Sequence, residues 1–120
     1  MKHFHQFVKE KRIEKGISLR QFCRECELDP SNWSKIERGI GDAPKGGEIL
    51  ERIAAVLKFS REDFNSLKDL ALIDSIPEDL RPKESILEKL PIFFRTARGE
   101  KPTESELQAI YTLLEKANSK

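Results

Sequence analysis

Long hydrophobic runs are missing from this chain, as are numerous cysteines and an excess of either charge, and each absence removes a class of function. No apolar stretch approaches the roughly 20 residues that a membrane span needs, and the polar start Met1-Lys2-His3 opens no signal-peptide core. A cytoplasmic protein is therefore expected. Two cysteines in 120 residues cannot build a disulfide framework, and no second Cys-x-x-Cys exists to complete a four-thiolate zinc site. The formal net charge of +1 is too small to mark a polyanion binder by itself. No acid/base pair, activated nucleophile or metal-ligand cluster stands out, so no catalytic residue, metal or cofactor is assigned and an enzyme is not expected.

What is present describes a soluble globular chain, 38% hydrophobic and 36% charged. Its 120 residues suit one compact domain, or a domain of about 65 residues with a helical extension. The small net charge conceals an asymmetry: residues 1–68 hold 14 Lys and Arg against 11 Asp and Glu, whereas residues 69–120 hold 8 against 10. The first half is thus +3 and the second −2, a mild bias of the first half toward a polyanion. Cys23 and Cys26 sit beside Phe22 in an amphipathic segment, where small thiols act as ordinary hydrophobes. His3 and His5 are the other residues from which a metal site could draw ligands.

Read along the chain, helical periodicity and punctuation recur. Phe4, Phe7 and Val8 carry a first helix that stops at Gly16. Ser18-Leu19-Arg20-Gln21 has the form of a capping box and opens a second helix, expected to reach Cys26. Asp29 followed by Pro30 starts a third, over residues 30–38, that ends at Gly39. Only Glu27, Leu28 and Asp29 separate the second helix from the third, and so short a connection makes two helices cross at a large angle. After a loop with three glycines and a proline, Leu50, Ile53, Ala54 and Leu57 line a fourth helix. Ser60 opens a fifth with Phe64, Leu67 and Leu70 as its stripe, closing a first domain at residues 1–72. In residues 73–120 prolines 77, 82, 91 and 102 predict short helices: one over residues 84–90, one over 91–99, and one capped by Thr103 that lines up Leu107, Ile110, Tyr111 and Leu114.

The third helix has two unlike sides. On a wheel at about 100° per residue, Trp33, Ile36 and Glu37 cluster on one side, while Ser31, Lys35 and Arg38 share the other with Ser34 beside them and Asn32 on the flank. Such a helix has the shape and donors to enter a DNA major groove; the same pattern also fits an ordinary solvated face. Glu37 turns inward and Arg12 shares the face of Val8, so the two are expected to form a buried ion pair joining the first helix to the third.

The uninterrupted run from Gly16 to Gly39, ending Ser34-Lys35-Ile36-Glu37-Arg38-Gly39, closely resembles the Cro/repressor (XRE) family of helix-turn-helix regulators, and Arg12 stands where that family usually has arginine. The resemblance covers residues 4 to about 68 and implies an all-α, five-helix, lambda-repressor-like DNA-binding domain followed by a short helical extension. It implies that Ser31, Asn32 and Lys35 read base edges, that Arg20, Ser34, Arg38 and Lys45 meet phosphates, and that a homodimer binds double-stranded DNA with half-sites about one helical turn apart. Its functional implication is a transcriptional repressor on a palindromic operator. The alternative is an antitoxin that binds a toxin through its C-terminal extension and represses its own promoter.

Two residues depart from the family pattern. Glu27 replaces the usual turn glycine, where a left-handed backbone costs another residue about 1 kcal/mol, so the turn is expected to follow a slightly different path. Pro30 removes a side chain that contacts bases in some members, which shifts readout onto Ser31 and Lys35. The segment Leu90-Pro91-Ile92-Phe93-Phe94-Arg95-Thr96-Ala97-Arg98-Gly99 is similar to extensions found in a prokaryotic subgroup of these regulators. Packing, dimerisation or docking of a protein partner are its expected roles.

Overall fold

A computed structural model of the chain describes residues 2–44, 46–100 and 103–118; within them the regular structure is all helix, with no strand. Eight α-helices follow in order among the described residues: α1 Phe4–Glu14, α2 Leu19–Cys26, α3 Pro30–Glu37, α4 Gly47–Val56, α5 Arg61–Asp74, α6 Glu84–Leu87, α7 Leu90–Ala97 and α8 Glu104–Asn118, with one 3-10 turn at Glu78–Leu80. The chain divides into two compact units, Lys2–Glu78 and Asp79–Lys120. The division falls after residue 72 because α5 continues to Asp74 and buries Ile73.

In the N-terminal unit the helix starts are set by side chains that satisfy otherwise unpaired amide groups. Ser18 Oγ accepts from Gln21 N at 3.1 Å, Asp29 Oδ2 from Asn32 N at 2.9 Å and Ser60 Oγ from Asp63 N at 3.1 Å. Only the forward half of the Ser18 box forms among the described residues. Packing then closes the unit: α1 lies on α3 and α5, α2 on α3 and α4, and α4 on α5. The core is built from Phe4 and Val8 of α1, Phe22, Cys23 and Cys26 of α2, Trp33 and Ile36 of α3, Leu50, Ile53 and Leu57, and Leu67 and Ala71 of α5. Trp33 stands at its centre, 5.2 Å from the Phe22 ring centroid and edge-on to Phe4 at 6.4 Å.

The turn between α2 and α3 corrects one expectation. Glu27 takes the left-handed conformation itself (φ 58°, ψ 45°), so the path is that of a glycine turn without the glycine. The steric cost of about 1 kcal/mol is outweighed by what the conformation places. Leu28 N donates to the Cys23 carbonyl at 2.8 Å and its side chain packs on the core, a burial worth up to about 2 kcal/mol. Arg52 Nη1 of α4 also donates to Glu27 Oε2 at 2.9 Å.

In the C-terminal unit, the helix expected over residues 84–90 stops at Leu87 and α7 begins at Leu90 with Pro91 in its first turn. Proline has no N–H to give the carbonyl four residues back and its ring collides with it, so α6 cannot run on through Pro91. Thr103 and Glu106 form both halves of a capping box at the start of α8, at 3.0 and 3.2 Å. Arg95 of α7 pairs with Glu106. Tyr111 is exposed and Leu107 half-buried; the side chains of Ile110 and Leu114 lie outside the described residues. Among the described residues no helix is long and apolar enough to cross a membrane.

Candidate nucleic-acid interface

Alternation along eight residues gives α3 its two surfaces. Trp33, Ile36 and Glu37 are buried, while Ser31, Asn32, Lys35 and Arg38 are exposed and Ser34 is half-buried between them. An exposed polar face is useful for recognition only if the helix behind it is fixed, and the buried face supplies the fixing.

The central element is the carboxylate of Glu37. Arg12 Nε donates to Oε2 at 2.9 Å and Arg12 Nη2 to Oε1 at 2.8 Å, a two-pronged pairing between α1 and the last turn of α3. Trp33 Nε1 donates to the same Oε2 at 2.7 Å. The third guanidinium nitrogen, Nη1, donates to the Ile17 carbonyl at 2.8 Å in the loop that leads into α2. One arginine therefore ties α3 to α1 and to the start of α2. With side-chain exposures of 12% and 4%, the pair is shielded enough that losing one member strands a buried charge. The Trp33 donor is absent from the sequence reading; its signal was the spacing of four residues, which sets the indole above the carboxylate on one helix face.

On the outer surface, Arg38 closes α3 and folds back so that its Nε donates to the Ser34 carbonyl at 3.3 Å. The residue as a whole is exposed. Arg20 is exposed in the first turn of α2, and Lys45 lies outside the described residues. The structure thus brings Ser31, Asn32, Ser34, Lys35 and Arg38 together on one short helix, with Arg20 on its neighbour; Arg12 and Glu37 lie behind them, as a brace.

The cysteines belong to the same packing. Both are free and wholly buried, and burial pushes the Cys26 thiol up to about 12 and raises that of Cys23. A metal takes a thiolate, so these surroundings oppose ligation, and among the described residues no group of three His, Cys, Asp or Glu could hold an ion. His3 lies 3.8 Å from Asp74 and stacks on His5 at 5.6 Å.

Residues 5–67 match the family described as Helix-turn-helix domain, which spans half of the chain and all of α1 to α4 after the first residue of α1. No curated protein and no solved structure matches the chain.

Proposed function

Because the chain belongs to the helix-turn-helix domain family of DNA-binding regulators, we propose that it is a sequence-specific transcriptional repressor of the Cro/repressor (XRE) type, acting in a prokaryotic cytoplasm as a homodimer on a palindromic operator. It works by occupying DNA and carries out no chemistry of its own. The observation that carries this reading is the division of α3, whose exposed donors stand on a helix locked from behind by the Arg12–Glu37–Trp33 network.

In this reading α3 enters the major groove, which admits a single helix. Ser31, Asn32 and Lys35 read base edges from the middle of its exposed face. Arg38, exposed at the end of the helix, offers its guanidinium to a phosphate, and Arg20, Ser34 and Lys45 complete the backbone contacts that set the register. A two-fold dimer would place two such helices about 34–36 Å apart, one turn of the duplex. We assign dimerisation to the C-terminal unit, where Phe93 and Tyr111 remain 39% and 56% exposed.

Selection of bound duplexes from a random pool tests the reading, with a two-fold symmetric consensus as the expected result. On that duplex Lys35→Ala should cost about 1–3 kcal/mol and far less on a scrambled one, as for lost readout of a guanine edge. Arg38→Ala should weaken both alike and lower the salt slope by about one unit. Equal losses on both duplexes for Lys35→Ala would remove it as a base reader. Cutting the chain after Glu78 should give a folded monomer with much weaker affinity; sedimentation showing an unchanged dimer would move the interface into the N-terminal unit.

A further inference from the structure

Four helices of the N-terminal unit end in the same way, and one of the four ends differs from the rest. At each, the chain passes through a left-handed residue, Gly16, Glu27, Gly39 or Lys58. The N–H of the residue after it then returns to a carbonyl five positions back: Ile17 to Arg12 at 3.2 Å, Leu28 to Cys23 at 2.8 Å, Ile40 to Lys35 at 2.9 Å and Phe59 to Ala54 at 2.9 Å. This is the Schellman arrangement, whose returning residue is commonly apolar because its side chain is laid back over the last turn and covered there. Ile17, Leu28 and Phe59 follow the rule and pack on the core. Ile40 does not: 69% of it is exposed. In the C-terminal unit the same arrangement after Gly99 carries a polar residue, Glu100, whose N–H returns to Arg95 at 3.0 Å.

The position of Ile40 gives that exposure a meaning. The carbonyl it returns to belongs to Lys35, an exposed residue of α3, so the motif ties the backbone of the exposed isoleucine to the last turn that carries the polar face. Its backbone is held firmly, since Gly39 N bonds Ile36 O at 3.0 Å and Gly41 N shares the Lys35 carbonyl at 3.1 Å. Gly41 is also wrapped so tightly that a Cβ there would stand 3.1 Å from the Ile36 side chain. An exposed branched apolar group on a fixed backbone therefore follows, within five residues, two exposed cations, Lys35 and Arg38, that would draw a polyanion to this end of α3. In a major groove the apolar group exposed at base edges is the thymine 5-methyl.

We propose that Ile40 is a specificity-determining residue that packs on the 5-methyl group of one thymine in each half-site, next to the base pair met by Lys35. This rests on the DNA-binding reading above and adds a shape-reading apolar contact to its polar ones.

The full chain and the duplex recovered by selection provide the test. Each thymine is replaced singly by deoxyuridine, which deletes only the methyl group, and binding is measured for the native protein, Ile40→Val and Ile40→Ala. At one thymine per half-site the native protein should lose about fourfold, the worth of one methyl group withdrawn from water. Ile40→Val should keep most of that sensitivity and Ile40→Ala should lose it, while neither alters the dimer in sedimentation. If every uracil substitution affects native protein and Ile40→Ala alike, or if Ile40→Ala acts by dissociating the dimer, the inference is overturned while the DNA-binding reading stands. If selection recovers no consensus, that reading falls first and the assignment of Ile40 falls with it.

Discussion

Trp33, Phe4, Phe22, Ile53, Leu57, Leu67 and Ile73 are all but sealed from water, and all of them lie in Lys2–Glu78; in Asp79–Lys120 the buried hydrophobic among the described residues is Leu87. Both units use the same local grammar. Asp29 with Pro30 starts α3 and Thr103 with Glu106 starts α8, while Gly39 and Gly99 end α3 and α7. A cap is worth about 1 kcal/mol, whereas each large core side chain is worth about 2–5 kcal/mol by deletion. Caps can choose where a helix begins, but burial on this scale is what makes five helices one cooperative body. The α3 surface belongs to the unit that can hold it still.

Five changes would break or sharpen this contrast. Glu37→Ala should have the largest effect, about 3–5 kcal/mol, because it strands the Arg12 guanidinium and the Trp33 N–H in a shielded site. Urea titration should show the loss; an unchanged midpoint would mean that packing alone holds α3 in place. Leu87→Ala comes next, at about 2–3 kcal/mol within the C-terminal unit. Amide protection in α6 to α8 should vanish while the N-terminal unit melts as before, and a common fall in Tm would show one cooperative transition instead of two.

Smaller effects follow. Glu27→Gly relieves a left-handed residue worth about 1 kcal/mol but gives up the Arg52 bond, whose acidic partner is 76% exposed and thus worth little. The net expectation is a gain of about 0.5 kcal/mol, readable as a rise of a few degrees in Tm; a loss would show that the Arg52 contact is what shapes the turn. Ending the chain after Glu78 should change the stability of the N-terminal unit least, within about 0.5 kcal/mol, since every member of its core lies before that point. Ending it after Leu72 should cost more, because Ile73 is 1% exposed. Calorimetry on the two truncations separates these cases.

The helices and the two faces of α3 were readable from the chain alone, for a physical reason. Caps, glycine stops and helical periodicity are relations among residues within about four positions of one another, so Ser18, Asp29, Ser60, Thr103, Gly16 and Gly39 announce their roles locally. An inward-turned Glu37 likewise advertises the need for a cation, and Arg12 meets it across 25 residues. Tertiary structure decided what depends on neighbours distant in sequence. Glu27 accepts a strained backbone because Leu28 gains the core. Trp33 and Arg12 converge on one carboxylate only once α1 packs on α3. Ile40 looks in sequence like Ile17, Leu28 or Phe59, an apolar residue just past a helix; only packing decides that three of these four are covered and the fourth is left facing outward.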